Sequence, residues 1–158
     1  VWIALSAATP ESGCMNVLPG SHTIGFMPHR DGYGEQNMLT RGQEITVDVD
    51  DAETVAMPLQ AGEASFHNGR LAHSSQPNRS PDRRIGLSFN YMPTNTRQTL
   101  SDWDSAALVR GNDTYGHFAP TPRPKRDFDP VSVRFHKKAT NAGRDIVFQG
   151  AEKVRDTL

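Results

Sequence analysis

A histidine and an arginine eleven residues apart are the side chains of this sequence best suited to chemistry. The densest run of polar side chains extends from His67 to Arg84, between two segments with strand character. His73 follows two apolar residues and is predicted to leave the end of a strand, where a neutral imidazole can bind a first-row metal ion. The planar guanidinium of Arg84 suits a carboxylate or phosphate held by two hydrogen bonds. Facing one cavity, the two would hold a metal ion and an acid that chelates it. The alternative is a hydrogen-bonded core histidine and a surface arginine.

Short strands separated by turns must position these two side chains. Residues 84–91 alternate apolar and polar side chains, which is the period of a half-buried strand. Residues 1–5, 14–18 and 64–67 are further strand candidates, and Pro19–Gly20 is a typical turn signal. Several short strands with almost no helix before the end of the chain predict a mainly β fold, either a sandwich or a barrel.

Two stretches lack this strand pattern. Residues 25–44 contain four glycines and predict a long loop. Residues 99–158 predict an extended arm that ends in a short helix, with Asn141 as its cap. The apolar residues at helical spacing in that helix are Val147, Ala151, Val154 and Leu158.

Length, charge and cysteine content exclude several classes of protein. The 158 residues suggest one domain over residues 1–158, and the net charge of -1 provides no field that would recruit nucleic acid or an anionic membrane. No apolar run approaches the roughly 18 residues of a membrane span. The single cysteine, Cys14, has no partner for an internal disulfide. We expect a cytoplasmic protein with no nucleic-acid or membrane partner.

Several motifs, taken in order, resemble the phytanoyl-CoA dioxygenase family. From His73 the sequence reads His-x-Ser-x-x-Asn, and Arg84 follows eleven residues after the histidine, as in that family. Upstream, Trp2 lies on a predicted strand, and residues 16–22 lead into a Pro-Gly-Ser-His turn that the family shares. The resemblance covers residues 1–98. It implies a double-stranded β-helix, a jelly-roll or cupin-like barrel, with residues 1–98 as barrel strands.

The resemblance also implies roles for single residues. His73 would be the distal ligand of an Fe(II) ion held by two histidines and one carboxylate. Arg84 would pair with the far carboxylate of the cosubstrate 2-oxoglutarate. Ser75, on the same side of its strand as His73, would add a hydrogen bond to that carboxylate. Trp2 would line the cosubstrate pocket.

Four other residues are pocket candidates in this comparison. His67 and Asn78 would support the wall and the loop of the site, and a purely structural role is the equal alternative. Asn16, from the shared turn motif, is a further pocket candidate. Arg97 would face an anionic substrate or lie on the surface. Its segment resembles bacterial members that act on small polar metabolites, including aminophosphonate-type hydroxylases.

The other two iron ligands of the family form a His-x-Asp pair upstream of the Trp-bearing strand, and this sequence begins at that strand. We therefore expect the C-terminal portion of a bacterial-type member, with a barrel incomplete at its N-terminus. His29 and Asp31 have the same local spacing, but they fall in the predicted loop, whereas a metal pair usually needs a rigid strand. They form an alternative metal pair, and the other interpretation is that both are exposed loop residues.

The function implied by the resemblance is Fe(II)- and 2-oxoglutarate-dependent hydroxylation of a small-molecule C–H bond, with O2 as the oxidant. A halogenase of the same family is one alternative, because the residue that decides between them belongs to the His-x-Asp pair. A non-catalytic jelly-roll module for binding or assembly is the other. An unpaired edge on the N-terminal strand would invite a homodimer.

Overall fold

The computed structural model describes residues 1–34, 39 and 41–152 of the chain. Within them lie ten short strands, one α-helix and two 3₁₀ turns, at Ser21–Thr23 and Asp51–Glu53. The strands are β1 (Trp2–Ala4), β2 (Met15–Val17), β3 (His29–Asp31), β4 (Gln43–Ile45), β5 (Val55–Met57), β6 (Ala64–Ser65), β7 (His73–Ser75), β8 (Gly86–Ser88), β9 (Ser105–Ala106) and β10 (Ala119–Pro120). The helix α1 spans Pro130–Val147. The mainly β fold class with a C-terminal helix is confirmed, although the described strands do not close into a barrel.

The chain divides into two compact units. The first contains Val1–Arg30 and Ile45–Tyr91, and the second contains Asp31–Glu44 and Met92–Leu158. The prediction of a single domain over residues 1–158 stays a prediction.

Two three-stranded antiparallel sheets build the first unit. In one sheet β1 lies between β6 and β8, and in the other β2 lies between β5 and β7. The central strands carry β-branched residues such as Ile3 and Val17, which pack well on a pleated surface. Apolar side chains of this unit form its buried core: Ala4, Ala8, Cys14, Val17 and Met27.

The position of β1 overturns the basis of the predicted homodimer. Both sides of this strand are hydrogen-bonded, with Trp2 opposite Ser65 on one side and opposite Ser88 on the other. The N-terminal ammonium also donates to the carbonyl of Phe89 at 2.8 Å. The expected free edge on the N-terminal strand is therefore wrong, because β6 and β8 both pair with it.

In the second unit, α1 packs on an aromatic side chain. The Trp103 ring meets the edge of the Phe135 ring at 5.8 Å between centroids, and Lys138 Nζ lies 4.0 Å from the Trp103 centroid. Such contacts combine apolar burial with the attraction of a cation to the face of an aromatic ring. The short strands β9 and β10 pair in parallel in this unit.

The helix begins eleven residues before the predicted cap. Asp129 caps it by accepting from the Val131 backbone N–H at 3.0 Å, and Pro130 occupies the first turn. Asn141 therefore lies inside the helix, and the extended arm predicted for residues 99–158 is wrong over residues 130–140. Proline suits the first turn because its missing N–H would have no partner there. Of the predicted apolar face, Val154 and Leu158 lie outside the described residues.

The loop predicted over residues 25–44 is also wrong at both ends. β3 and β4 pair there as a two-stranded sheet, so His29 and Asp31 lie on a strand rather than in a loop. Residues 35–38 and 40, in the middle of that stretch, lie outside the described residues. The strand expected at residues 84–91 is shorter than predicted, since β8 contains only Gly86–Ser88.

Within the part of the chain that the structure describes, no helix combines the length and the apolar character that a membrane span needs.

Candidate cosubstrate and metal site

Arg84 and Trp2 come together on one face of the first sheet. Register places Trp2 opposite Ser88 and Ala4 opposite Gly86, so the side chains of Trp2 and Ser88 and the open Cα of Gly86 share that face. Arg84 lies two residues before Gly86, and its Cζ atom is 5.6 Å from the centroid of the Trp2 ring. At this distance the guanidinium is attracted to the negative face of the indole. The half-buried arginine is therefore held beside Trp2 with its charge partly shielded from water.

Ser65 lies beside this pair, and the sequence analysis did not single it out. It pairs in register with Trp2 from β6 and is only 6% exposed. Its Oγ is buried without a hydrogen-bond partner among the described residues. Buried hydroxyls without a partner are costly, so they often mark a place where a ligand binds. Ser65 is recognised as part of the site only from its register opposite Trp2, and the sequence alone does not give this register.

His73 begins β7 in the second sheet, with Ser75 on the same face two residues later. Its Nδ1 lies 2.7 Å from the carbonyl oxygen of Leu71, which can only accept a hydrogen bond. Nδ1 therefore carries the proton, and the lone pair of Nε2 is left for a metal ion. The structure therefore leaves Nε2 of this exposed imidazole available, and the predicted role of His73 as an iron ligand stays a prediction.

His67 brings the two sheets of the first unit together at the site. It follows β6, and its ring centroid is 5.9 Å from that of His73. Burial, followed by the proximity of His73 and the N-terminal ammonium, lowers the pKa of His67. Its half-buried ring therefore stays neutral and forms part of the wall beside His73.

Two other pocket candidates are directed elsewhere. The Asn78 side chain donates to the Asp82 carbonyl at 2.8 Å and accepts from the Ser80 backbone N–H at 2.9 Å, so it closes the loop before Arg84. Asn16 pairs with Ser74, so it lies on the face of the second sheet opposite to His73 and Ser75. The structure does not bring Asn16 to the side of the sheet that carries His73.

Arg97 belongs to the second unit. There it lines an open polar cleft of about 660 Å³ together with Asp102, Asp104 and His117. The cleft contains side chains of both charge signs, as a site for a small polar molecule would.

In the alternative metal pair, His29 and Asp31, the carboxylate of Asp31 is already hydrogen-bonded to protein side chains. One oxygen of its carboxylate accepts from Arg41 Nη2 at 2.6 Å and Nε at 2.9 Å, and from the Tyr33 hydroxyl at 3.0 Å. The hydrogen bond from Arg41 lowers the pKa of Asp31, and that from Tyr33 adds to this effect. Arg41 also donates to the Val147 carbonyl at the end of α1 at 2.9 Å. This network explains Asp31 as a structural residue of the second unit.

Among residues 1–34, 39 and 41–152, no three histidine, cysteine or acidic side chains group closely enough to hold a metal ion. A complete two-histidine, one-carboxylate centre therefore needs ligands besides those that the described residues bring to His73.

Replacing Asp31 by asparagine is expected to leave Fe(II) affinity within about twofold of the parent value, because Arg41 already holds this carboxylate. The variant should lose the ion pair and melt at a lower temperature. Anaerobic calorimetry with Fe(II) and a thermal melt measure the two effects. Arg41→Gln is the matched control, since it removes the same ion pair and leaves the carboxylate in place. A loss of Fe(II) binding in Asp31→Asn alone would restore His29 and Asp31 as the metal pair.

Two antiparallel sheets carry Trp2, His73 and the segment after Arg84, and this architecture is that of the jelly-roll class of proteins. The sequence profile of phytanoyl-CoA dioxygenase (PhyH) matches residues 1–86, and this chain belongs to that family.

Individual relatives agree with this assignment. A methylphosphonate hydroxylase of Gimesia maris is 34% identical over 90 residues, which are 56% of this chain and 31% of that protein. A phytanoyl-CoA dioxygenase domain-containing protein 1 homologue of Dictyostelium discoideum is 27% identical over 96 residues, 58% of this chain and 34% of that protein. The chain spans about a third of the length of these curated relatives.

Among solved structures, the apo form of the non-haem monooxygenase ThoJ superposes with a TM-score of 0.79 at 35% identity. The match covers 94% of this chain and 52% of ThoJ. The nickel complex of the same monooxygenase has a TM-score of 0.71 at 29% identity, over 94% of this chain and 50% of that one. The jelly-roll oxygenase fold expected from the motifs is confirmed.

Proposed function

We propose that the chain contributes the 2-oxoglutarate site and one iron ligand of an Fe(II)-dependent dioxygenase that hydroxylates a C–H bond of a small molecule. The observation that carries the proposal is the half-buried guanidinium of Arg84 on the Trp2 ring, next to the unpartnered buried hydroxyl of Ser65. Such a site suits one end of a dicarboxylate, which needs a fixed positive charge and a hydrogen-bond donor.

The residues present fit the cosubstrate and one position on the metal. Arg84 would hold the far carboxylate of 2-oxoglutarate, and Ser65, which pairs with Trp2, is the hydroxyl donor beside it. Ser75, on the face of the second sheet that carries His73, stays a predicted donor. His73 offers Nε2 to Fe(II), because Leu71 holds its Nδ1 proton. When bound, iron with 2-oxoglutarate supplies the oxidising power: substrate C–H, O2 and 2-oxoglutarate give the alcohol, succinate and CO2.

The chain's own contribution is positioning. Arg84 fixes one end of the cosubstrate, so the keto acid end is presented in one orientation. Trp2 covers a face of the guanidinium and excludes water from it, which strengthens its electrostatic attraction to a carboxylate. His67, neutral and half-buried, provides an uncharged wall beside His73.

A small polar metabolite is the proposed substrate class. The similarity to a methylphosphonate hydroxylase over 90 residues supports it. The predicted role of Arg97 toward an anionic substrate stays a prediction.

Product analysis tests the proposal. The chain is incubated with Fe(II), 2-oxoglutarate, O2, chloride and a panel of small phosphonates and carboxylates, and succinate is measured alongside the substrate mass. Succinate with one added oxygen supports hydroxylation. A product in which chlorine stands in place of a substrate hydrogen would show that the reaction is halogenation and not hydroxylation. Neither product, together with no 2-oxoglutarate binding by anaerobic calorimetry, would favour a non-catalytic module.

A further inference from the structure

Gly86 is a glycine in a paired strand, where glycine is normally unfavourable. It is the first residue of β8 and pairs with Ala4 of the central strand β1. Its φ is not among the positive values that favour glycine, so the backbone itself would accept alanine. A strand glycine of this kind often marks the close approach of another group. A steric reason for glycine must therefore be sought in its surroundings.

That reason is the indole of Trp2. A Cβ atom at position 86 would overlap Cζ2 and Cε2 of the Trp2 ring and lie 2.7 Å from its Nε1. Real Cβ atoms do not approach other heavy atoms this closely, so any side chain here must displace the ring. The indole ring of Trp2 therefore packs directly against the backbone of Gly86.

The same indole carries Arg84. The guanidinium Cζ is 5.6 Å from the ring centroid, and Arg84 precedes Gly86 by two residues in the chain. Displacing the ring would remove the surface against which the guanidinium is held. The orientation of Arg84 therefore depends on a residue that has no functional group.

We propose that Gly86 is a positioning residue of the dicarboxylate site: it admits the Trp2 ring, and the ring in turn orients Arg84 toward the far carboxylate of 2-oxoglutarate. The inference rests on the proposed function for its ligand, and on geometry alone for the contact of Gly86 with Trp2. Gly86→Ala is expected to weaken 2-oxoglutarate binding roughly tenfold, which is the scale of losing a partly shielded cation–π contact.

A double-mutant cycle tests it. Dissociation constants for 2-oxoglutarate are measured by anaerobic calorimetry for the parent, Gly86→Ala, Trp2→Ala and the double variant. If Gly86 acts through Trp2, the alanine at position 86 costs roughly tenfold in the parent and less than about twofold once the indole is absent. An equal loss in both backgrounds would overturn the proposal, because it would show that Gly86 acts on the fold and not on the ring.

Emission from Trp2 gives a readout independent of any ligand. In a Trp103→Phe background, Trp2 is the only tryptophan, and Gly86→Ala should shift its emission. Gly69→Ala is the matched control, because Gly69 also lacks a positive φ and a Cβ there meets nothing within 4 Å. An unchanged emission in Gly86→Ala overturns the proposal. If the parent binds no 2-oxoglutarate while the emission still shifts, the proposed function fails and the contact of Gly86 with Trp2 stands.

Discussion

Arg84→Ala is expected to weaken 2-oxoglutarate binding about 100-fold, because the variant loses a charge-assisted contact that Trp2 shields from water. The residues paired with Trp2 on the neighbouring strands, Ser65 and Ser88, are both neutral and do not replace the lost guanidinium charge. The measurement is anaerobic calorimetry of 2-oxoglutarate binding in the presence of Fe(II).

Arg83→Ala is the matched control for this loss. Arg83 is the adjacent arginine, it is exposed, and the two-residue period of an extended chain directs it away from Arg84. Arg83→Ala removes one positive charge, as Arg84→Ala does. A similar loss of 2-oxoglutarate affinity in both variants would therefore indicate a long-range effect of net charge. We expect the Arg83 variant to bind within about twofold of the parent at moderate ionic strength, since exposed charges are screened.

The choice of ligand separates the role of the far carboxylate from that of the keto acid. 2-Oxobutyrate keeps the keto acid and lacks the far carboxylate. The parent should bind it about 100-fold more weakly than 2-oxoglutarate, and Arg84→Ala should bind the two about equally. A variant that still prefers 2-oxoglutarate by a large factor would show that another group holds the far carboxylate.

The sequence could identify Arg84 because two signals coincide there. It begins the segment with the clearest alternation, and it follows His73 at the spacing of the family motif. The strand itself is shorter than the alternation suggests, since only Gly86–Ser88 is paired to β1. Alternation reports which side chains share a face, but the length of a strand depends on what its neighbours offer for pairing.

The start of α1 is marked by a local sequence signal, which the prediction from apolar spacing overlooked. Asp129 followed by Pro130 is a typical helix start, because the aspartate accepts a free backbone N–H and proline fills the first turn. The prediction at Asn141 relied on apolar residues near the end of the chain. A capping pair is the more specific signal for where a helix begins.

Contacts between segments distant in sequence account for what could not be predicted. The approach of Trp2 to Gly86 joins residues 84 positions apart, and the role of Ser65 depends on the register of β6 against β1. The local alternation places Gly86 on a strand, but nothing in it indicates that the Trp2 ring lies against this glycine. The same holds for Asp31, whose spacing from His29 resembles a metal pair until Arg41 is seen to bind its carboxylate.

His73→Ala is expected to lower the affinity for Fe(II), measured with 2-oxoglutarate present, by about 100-fold or more. Changes to residues that merely support a metal ligand already cost about 10- to 100-fold, and His73 is the proposed ligand itself. The physical basis is the Leu71 carbonyl, which holds the Nδ1 proton and leaves Nε2 as the donor. Calorimetry under anaerobic conditions, with the metal content of the isolated protein as a second measure, provides the test.

Two further histidine variants show whether the loss belongs to His73. His67→Ala removes the neighbouring wall, and we expect a tenfold effect at most, because His67 is placed beside the ligand and not on the metal. His22→Ala removes an exposed imidazole of the same unit and should bind Fe(II) like the parent. If His67→Ala caused the larger loss, His67 would be the ligand and His73 its support. Both rings lie close enough for that exchange of roles, with 5.9 Å between their centroids. The hydrogen bond at Nδ1 of His73 and its spacing from Arg84 favour His73 as the ligand.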